Sequence, residues 1–192
     1  MKGIAGVGDG GARRGARTRA PLPLALGLLL LTGCPAGEPE TTPTVDEGPV
    51  VVEGRSHTLR ATQEGWEGEI PFAYHNVTDR TISLLNCRGG FGLHLEKREE
   101  GGWVRAWEPA RELCLSPPIE IPPGERHEHT LHVFGARPDA NAIPRFEVDD
   151  IPGTYRIVIT SAYWDYDHDG PPWGEMPPLE LRVSGPFELR VR

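Results

Sequence analysis

The sequence predicts an all-β domain, a β-sandwich of about seven to nine strands, on three observations. From Val50 onward apolar side chains recur with a period of two, not the 3.6 of a helix facing a core. Gly, Pro, Asn and Asp punctuate that pattern at short intervals. No stretch offers the helical crossovers a parallel α/β sheet needs, so the strands are expected to form two stacked layers.

The predicted strands follow in order. His57, Leu59 and Ala61 alternate with Thr58 and Arg60, and Ile70, Phe72 and Tyr74 make the next apolar face. Residues 76–80 read as a turn, after which Ile82 and Leu84 continue on a third strand. Phe91, Leu93 and Leu95 define another inward face; Glu99-Glu100-Gly101-Gly102 turns the chain back through Trp103 to Trp107 as a hairpin. Ile119 and Ile121 lead into Pro122-Pro123-Gly124-Glu125, whose Pro and Gly set a turn, and Leu131 and Val133 face inward beyond it. Residues 154–163 form the strongest strand, with Tyr155, Ile157 and Ile159 on one side, and residues 179–183 and 187–191 alternate cleanly.

What precedes this domain has a different composition. Residues 1–33 hold Lys2, Arg13, Arg14, Arg17 and Arg19, then an apolar run from Ala20 to Leu31, the pattern of a secretory signal. Gly6-Val7-Gly8-Asp9-Gly10-Gly11 matches a dinucleotide-binding glycine pattern in letters only, because no strand precedes it and the segment belongs to the signal. Arg13-Arg14 has flanks that fit twin-arginine export poorly. Residues 34–49 are rich in Pro, Glu and Thr and read as a flexible linker. The domain is assigned to 50–192, and no later run is long enough for a transmembrane helix.

Leu31-Thr32-Gly33-Cys34 resembles the lipobox of bacterial lipoproteins. The resemblance implies that residues 1–33 are removed, that Cys34 is lipidated, and that the protein is an extracytoplasmic lipoprotein of a bacterial membrane. Pro35 departs from the Asp that retains enteric lipoproteins at the inner membrane, which favours the outer membrane where there is one. Such a chain keeps 15 Lys or Arg (20 less 5) and 27 Asp or Glu (28 less 1), a formal net charge of −12. That sign opposes binding to nucleic acid, so attachment to the membrane rests on the lipid and not on side chains. An oxidising compartment makes Cys87 and Cys114 a natural disulfide, worth about 3 to 4 kcal/mol in chain entropy.

Leu95-Glu96-Lys97, Gly102-Trp103-Val104, Ile121-Pro122-Pro123-Gly124-Glu125 and Gly153-Thr154-Tyr155-Arg156-Ile157 together resemble the bacterial immunoglobulin-like domains of small envelope lipoproteins. They are more distantly similar to the Bacillus intracellular proteinase inhibitor family. The last motif looks like a tyrosine corner, in which a Tyr early in a late strand hydrogen-bonds back across the turn before it. The resemblance covers about residues 68–160. It implies an immunoglobulin-like sandwich acting as a non-enzymatic interaction module with an envelope protein partner. The inhibitor alternative places a protease-inserting loop at residues 108–118.

Two constellations could carry chemistry. Asp165, Asp167 and Asp169, followed by Gly170, match the start of a calcium loop, with Glu175 as a further oxygen ligand one residue early for the usual twelfth position. An acidic solvent-facing loop is the competing reading; calcium-dependent adhesion or glycan binding is the functional one, and otherwise no cofactor is expected. His127, Glu128, His129 and His132 miss the helical zinc motif, since position 131 is Leu, and lie on a strand where His127 and His129 share a face. No serine nucleophile motif is present, and the cysteines are committed elsewhere, so catalysis is not expected. Tyr163, Trp164, Tyr166 and Trp173 surround the acidic loop and form the candidate binding surface, against the alternative that they plug the end of the core.

Overall fold

The structure is a computed structural model that describes residues 48–110, 116–167, 169 and 174–192. Among these the chain is all-β and sandwich-like. Its strands are β1 (Val50–Val52), β2 (Ser56–Ala61), β3 (Gly65–His75), β4 (Ile82–Leu84), β5 (Asn86–Cys87), β6 (Gly90–Phe91), β7 (Leu93–Glu99), β8 (Gly102–Trp107), β9 (Ile119–Ile121), β10 (Arg126–Ala136), β11 (Gly153–Ile159), β12 (Ala162–Trp164) and β13 (Phe187–Val191).

One layer is built on β3, which pairs with β10 along its whole length and with β1 on its other edge. The second runs β13–β11–β7–β8, antiparallel throughout. Strand β2 joins them by changing partner midway. Residues 56–59 run parallel to β13, whereas Arg60 and Ala61 turn to Glu67 and Trp66 of β3. A small sheet, β12–β4–β9, and the β5–β6 hairpin complete the described strands.

The period-two faces meet in one core. Ile70, Phe72 and Tyr74 of β3, Leu131 and Val133 of β10, Leu95 of β7 and Tyr155, Ile157 and Ile159 of β11 are all buried in it. Trp107 lies among them, its indole N–H donating to Phe134 O at 3.0 Å across the layers. Burying side chains of this size contributes about 1.5 to 3 kcal/mol each, which is why alternation dictates the register.

Two buried polar hubs hold the turns. Asn76 is fully buried; its Nδ2 donates to Arg80 O and Ile121 O, both at 2.7 Å, and its Oδ1 accepts from the N–H and hydroxyl of Thr78. Its own N–H donates to Glu125 O, and Gly124 N–H donates to Asn76 O. The turn at 76–80 and the Pro-Gly turn at 122–125 are thereby one unit. At the other hub, Tyr155 Oη donates to Ile151 O at 2.6 Å across four residues, the corner bond that its motif suggested. Beside it the Lys97 ammonium donates to Asp150 O at 2.6 Å and meets Glu99 at 3.1 Å. Gly153 is needed here, because its φ is +147° and a Cβ would fall 2.8 Å from Lys97 Cε.

Three expectations need correction. The strand expected over 154–163 breaks at Thr160 and Ser161: β11 pairs with β7, and β12 leaves to pair with β4. Ser161 makes the switch possible by donating through its hydroxyl to Leu85 O at 2.9 Å and accepting from Gly92 N–H at 2.9 Å. Residues 179–183 are not a strand. Pro177 and Pro178 start a 3-10 turn, Leu179–Leu181, and only Val183 bridges to β11. Tyr74 Oη holds that turn by donating to Leu181 O at 2.8 Å. Ala61, expected inward with Leu59, is exposed because β2 is crossing between layers there.

Candidate functional site

The β5–β6 hairpin, the ends of the 108–118 segment and the 160–163 strand switch converge at one end of the sandwich. Around them lies a cleft of about 560 Å³, whose walls include Leu85, Phe91, Leu93, Pro109 and Tyr163. The hairpin is tightly wound: Gly89 N–H donates to Asn86 Oδ1 at 3.0 Å, with Arg88 at φ +52° and Gly89 at φ +90°. It grips the neighbouring segment through Asn86 Nδ2, which donates to Pro117 O at 2.6 Å, and through Arg88 N–H, which donates to Ser116 Oγ at 3.0 Å. Cys87 lies in this hairpin and is disulfide-bonded. Cys114 lies outside the described residues, as do Cys34 and Trp173.

The four candidate oxygen ligands are only partly brought together. Arg80 Nη2 pairs with Asp165 Oδ2, and Arg80 Nη1 with Glu175 Oε2 at 3.0 Å. Its guanidinium also stacks on Trp164, 4.5 Å from the ring centre. Both carboxylates hold the Arg80 charge above its ordinary range, Glu175 most strongly. The base of the loop is closed by a reciprocal backbone pair: Trp164 N–H donates to Glu175 O at 2.8 Å, and Glu175 N–H to Trp164 O at 3.2 Å. Gly174 is required in that closure, since at φ +129° a Cβ would sit 2.3 Å from Trp164 O. Asp167 Oδ1 accepts from Asp169 N–H at 2.9 Å, and both side chains face solvent. Thus Asp165 and Glu175 converge on a guanidinium, while Asp167 and Asp169 form a local turn. Among the described residues no group of three or more His, Cys, Asp or Glu side chains is arranged to hold a metal ion.

Of the aromatic surface, Tyr163 lines the cleft, Trp164 carries Arg80 and Tyr166 is half-buried. The Trp164 indole N–H is buried with no hydrogen-bond partner among the described residues. The histidines separate by strand parity as expected. His127 and His129 face inward, and His129 packs on Phe91 with ring centres 4.6 Å apart and on Phe72 at 5.4 Å. Burial, followed by the nearby His127 and His132 charges, lowers the His129 pKa, so its ring favours the neutral form. His132 points outward to Glu69, with Nδ1 3.3 Å from Oε1. The sequence offered no sign of Arg80, whose partners lie 85 and 95 residues away.

Comparisons with known proteins add little to this geometry. No family model matches the chain. No curated protein matches it either. A Pseudomonas fluorescens alkylpurine DNA glycosylase, AlkC, bound to DNA containing an abasic site analog, aligns over 74% of this chain at 9% identity and a TM-score of 0.33. The alignment spans 31% of that protein's chain. A likeness at that level carries no argument about fold or function. No helix among the described residues is long and apolar enough to cross a membrane.

Proposed function

We propose that this chain is a lipid-anchored extracytoplasmic protein of a bacterial envelope whose immunoglobulin-like domain, residues 50–192, binds a protein partner and does no chemistry of its own. In this reading residues 1–33 are cleaved, Cys34 carries the lipid, residues 34–49 are the tether and Cys87 is bonded to Cys114. The observation that carries the binding role is the cleft at the sandwich end, framed by a wound hairpin and by Tyr163. Concave, mostly apolar sites with a few placed polar groups are the usual form of a recognition surface. The acidic balance of the chain supports a protein partner over nucleic acid.

Two experiments test the reading. Metabolic labelling with a fatty-acid analogue is expected to mark the wild-type chain and not Cys34→Ser; equal labelling removes the anchor. A photo-crosslinker at Tyr163 in native cells is expected to capture one recurrent envelope protein, while the same probe at Glu188, on β13, captures none. Identical yields from both positions reject the cleft.

A second reading, a proteinase inhibitor, is favoured by one observation: the Asn86 and Arg88 bonds hold the segment at Ser116 and Pro117 against the hairpin. A loop presented to a protease cleft must be held in shape so that little entropy is lost on binding. Inhibition of a panel of secreted proteases, weakened at least tenfold by Asn86→Ala, supports it; no inhibition by the intact chain rejects it.

A further inference from the structure

Strand β10 is the longest edge in the described molecule, and the direction of its backbone groups follows from its neighbour. On β3, Pro71 O accepts from Glu53 N–H at 2.9 Å and His75 N–H donates to Pro49 O at 2.7 Å, so the odd residues of β3 turn their backbone groups towards β1. The even residues Ile70, Phe72 and Tyr74 therefore turn theirs to β10, where they pair with Leu131, His129 and His127. It follows that Glu128, Thr130, His132 and Phe134 direct their N–H and C=O groups away from the sheet.

At the end of the strand these outward groups are used, since Phe134 O accepts from the Trp107 indole at 3.0 Å, Ala136 N–H donates to Pro144 O at 2.9 Å and Phe146 N–H to Ala136 O at 3.1 Å. From Glu128 to His132 they have no backbone partner among the described residues. The space beside them is open, a cleft of about 720 Å³ that borders residues 128–132 and the Arg88 to Phe91 hairpin. An unpaired edge of this length is a template for another strand.

The side chains say which strand fits. When β10 is laid antiparallel on a second copy of itself about a two-fold axis at Thr130, the outward backbone groups of Glu128, Thr130 and His132 meet those of His132, Thr130 and Glu128 of its counterpart. In that register Thr130 lies opposite Thr130, Glu128 opposite His132 and Arg126 opposite Phe134. Each is a pairing that strands favour: two β-branched hydroxyls, a carboxylate with an imidazole, and a guanidinium with an aromatic face. Phe134 is 45% exposed, so its ring is available, and His132 uses only Nδ1 on Glu69, which leaves Nε2 for the incoming Glu128. Moving the axis by half a step puts Glu128 against Thr130 and Arg126 against His132, and the complementarity is lost. We infer that the occupant of the β10 edge is a second copy of this chain, pairing antiparallel about Thr130 to continue the β3–β10 sheet across a two-fold dimer.

The test uses the full chain in detergent micelles. Thr130→Cys is expected to form a covalent dimer on mild oxidation, because hydrogen-bonded antiparallel partners have Cα atoms about 5.5 Å apart, within disulfide reach. Glu128→Cys alone is expected not to, since its own copy lies four residues along, roughly 13 Å away, whereas a mixture of Glu128→Cys and His132→Cys chains cross-links. Thr130→Pro deletes an outward donor without touching the β3 ladder and is expected to weaken dimerisation at least tenfold by sedimentation. Glu128→Lys weakens it similarly, and Glu128→Lys with His132→Glu restores it. A wild-type chain that is monomeric at every concentration, a Thr130→Cys chain that couples only to another protein, or equal cross-linking at 128 and 130 each overturns the inference.

Discussion

The two polar clusters that shape the turns differ in what surrounds them. Asn76 and Tyr155 are fully buried, and their side-chain groups meet backbone or hydroxyl partners inside the core. Arg80, Asp165 and Glu175 meet at the surface, with the Arg80 side chain 35% exposed and the carboxylates at 77% and 65%. A buried hydrogen bond is expensive to break because its partners are left without water, whereas an exposed ion pair returns its charges to solvent. The first kind therefore fixes the fold and the second aims a loop.

Asn76→Ala should have the largest effect. It takes the amide donor from Ile121 O and the acceptor from Thr78 N–H, leaving Arg80 O only the Thr78 hydroxyl, so a loss of roughly 3 kcal/mol in denaturant unfolding is expected. A loss below about 1 kcal/mol would mean that water replaces the amide and that the hub is not dry. Tyr155→Phe removes one bond and leaves Ile151 O unpaired, for roughly 1 to 3 kcal/mol. The buried phenols should also mark the alkaline limit. Burial raises both Tyr155 and Tyr74, the latter to about 12. The fold thus holds protons that the unfolded chain loses near pH 10, so the stabilisation is complete below about 10 and is lost as pH rises towards 12. Tyr155→Phe, which keeps the ring and removes the titrating hydroxyl, should make stability fall less steeply above about pH 10, and a profile as steep as wild type would separate the corner from that limit.

His129 acts at the other limit and more weakly. Its pKa is lowered in the fold, so the stability it contributes is present above about 6.5, the unfolded value, and is lost as pH falls through the folded one. His129→Phe should flatten the acid side of the stability curve relative to wild type, with Phe91 and Phe72 still packed around the new ring. A profile as steep as wild type would assign the acid sensitivity elsewhere.

How much of this was legible in the sequence follows the same division. Period-two alternation places Ile70, Phe72, Tyr155, Ile157 and Ile159 inward, because a strand has two faces and one of them is buried. The corner bond at Tyr155 and the Pro-Gly turn after Ile121 were visible because both are local. The break at Ser161 was not, since its cause is hydrogen bonding to Leu85 and Gly92, some seventy residues away. Residues 179–183 misled for a related reason: Leu179, Leu181 and Val183 alternate, but two prolines wind the chain first. At the candidate site, spacing displayed the carboxylates at 165 and 175 and concealed the cation between them, because Arg80 arrives from the opposite turn. The edge of β10 was equally hidden, since which backbone groups point outward depends on the neighbour and not on the strand.

The Arg80 bracket gives the smallest effect on stability and the sharpest test of the acidic loop. An exposed pair of ion pairs contributes about 0 to 1 kcal/mol each, so Arg80→Ala should move the unfolding midpoint little. What it should change is the loop. With the guanidinium gone, Asp165 and Glu175 are left beside the backbone closure of Trp164 with Glu175, and their repulsion is no longer offset. Amide exchange at Trp164 and Glu175 should quicken while that at Tyr155 and Asn76 stays slow. The same substitution decides what the carboxylates are for. If Arg80 is their structural counter-charge, calcium should leave the wild-type melting temperature unchanged and raise that of Arg80→Ala, the ion taking the place the guanidinium leaves. If instead calcium stabilises the wild type and Arg80→Ala abolishes the effect, the arginine is part of the ion's support, and the acidic loop is a calcium site that Arg80 helps to shape.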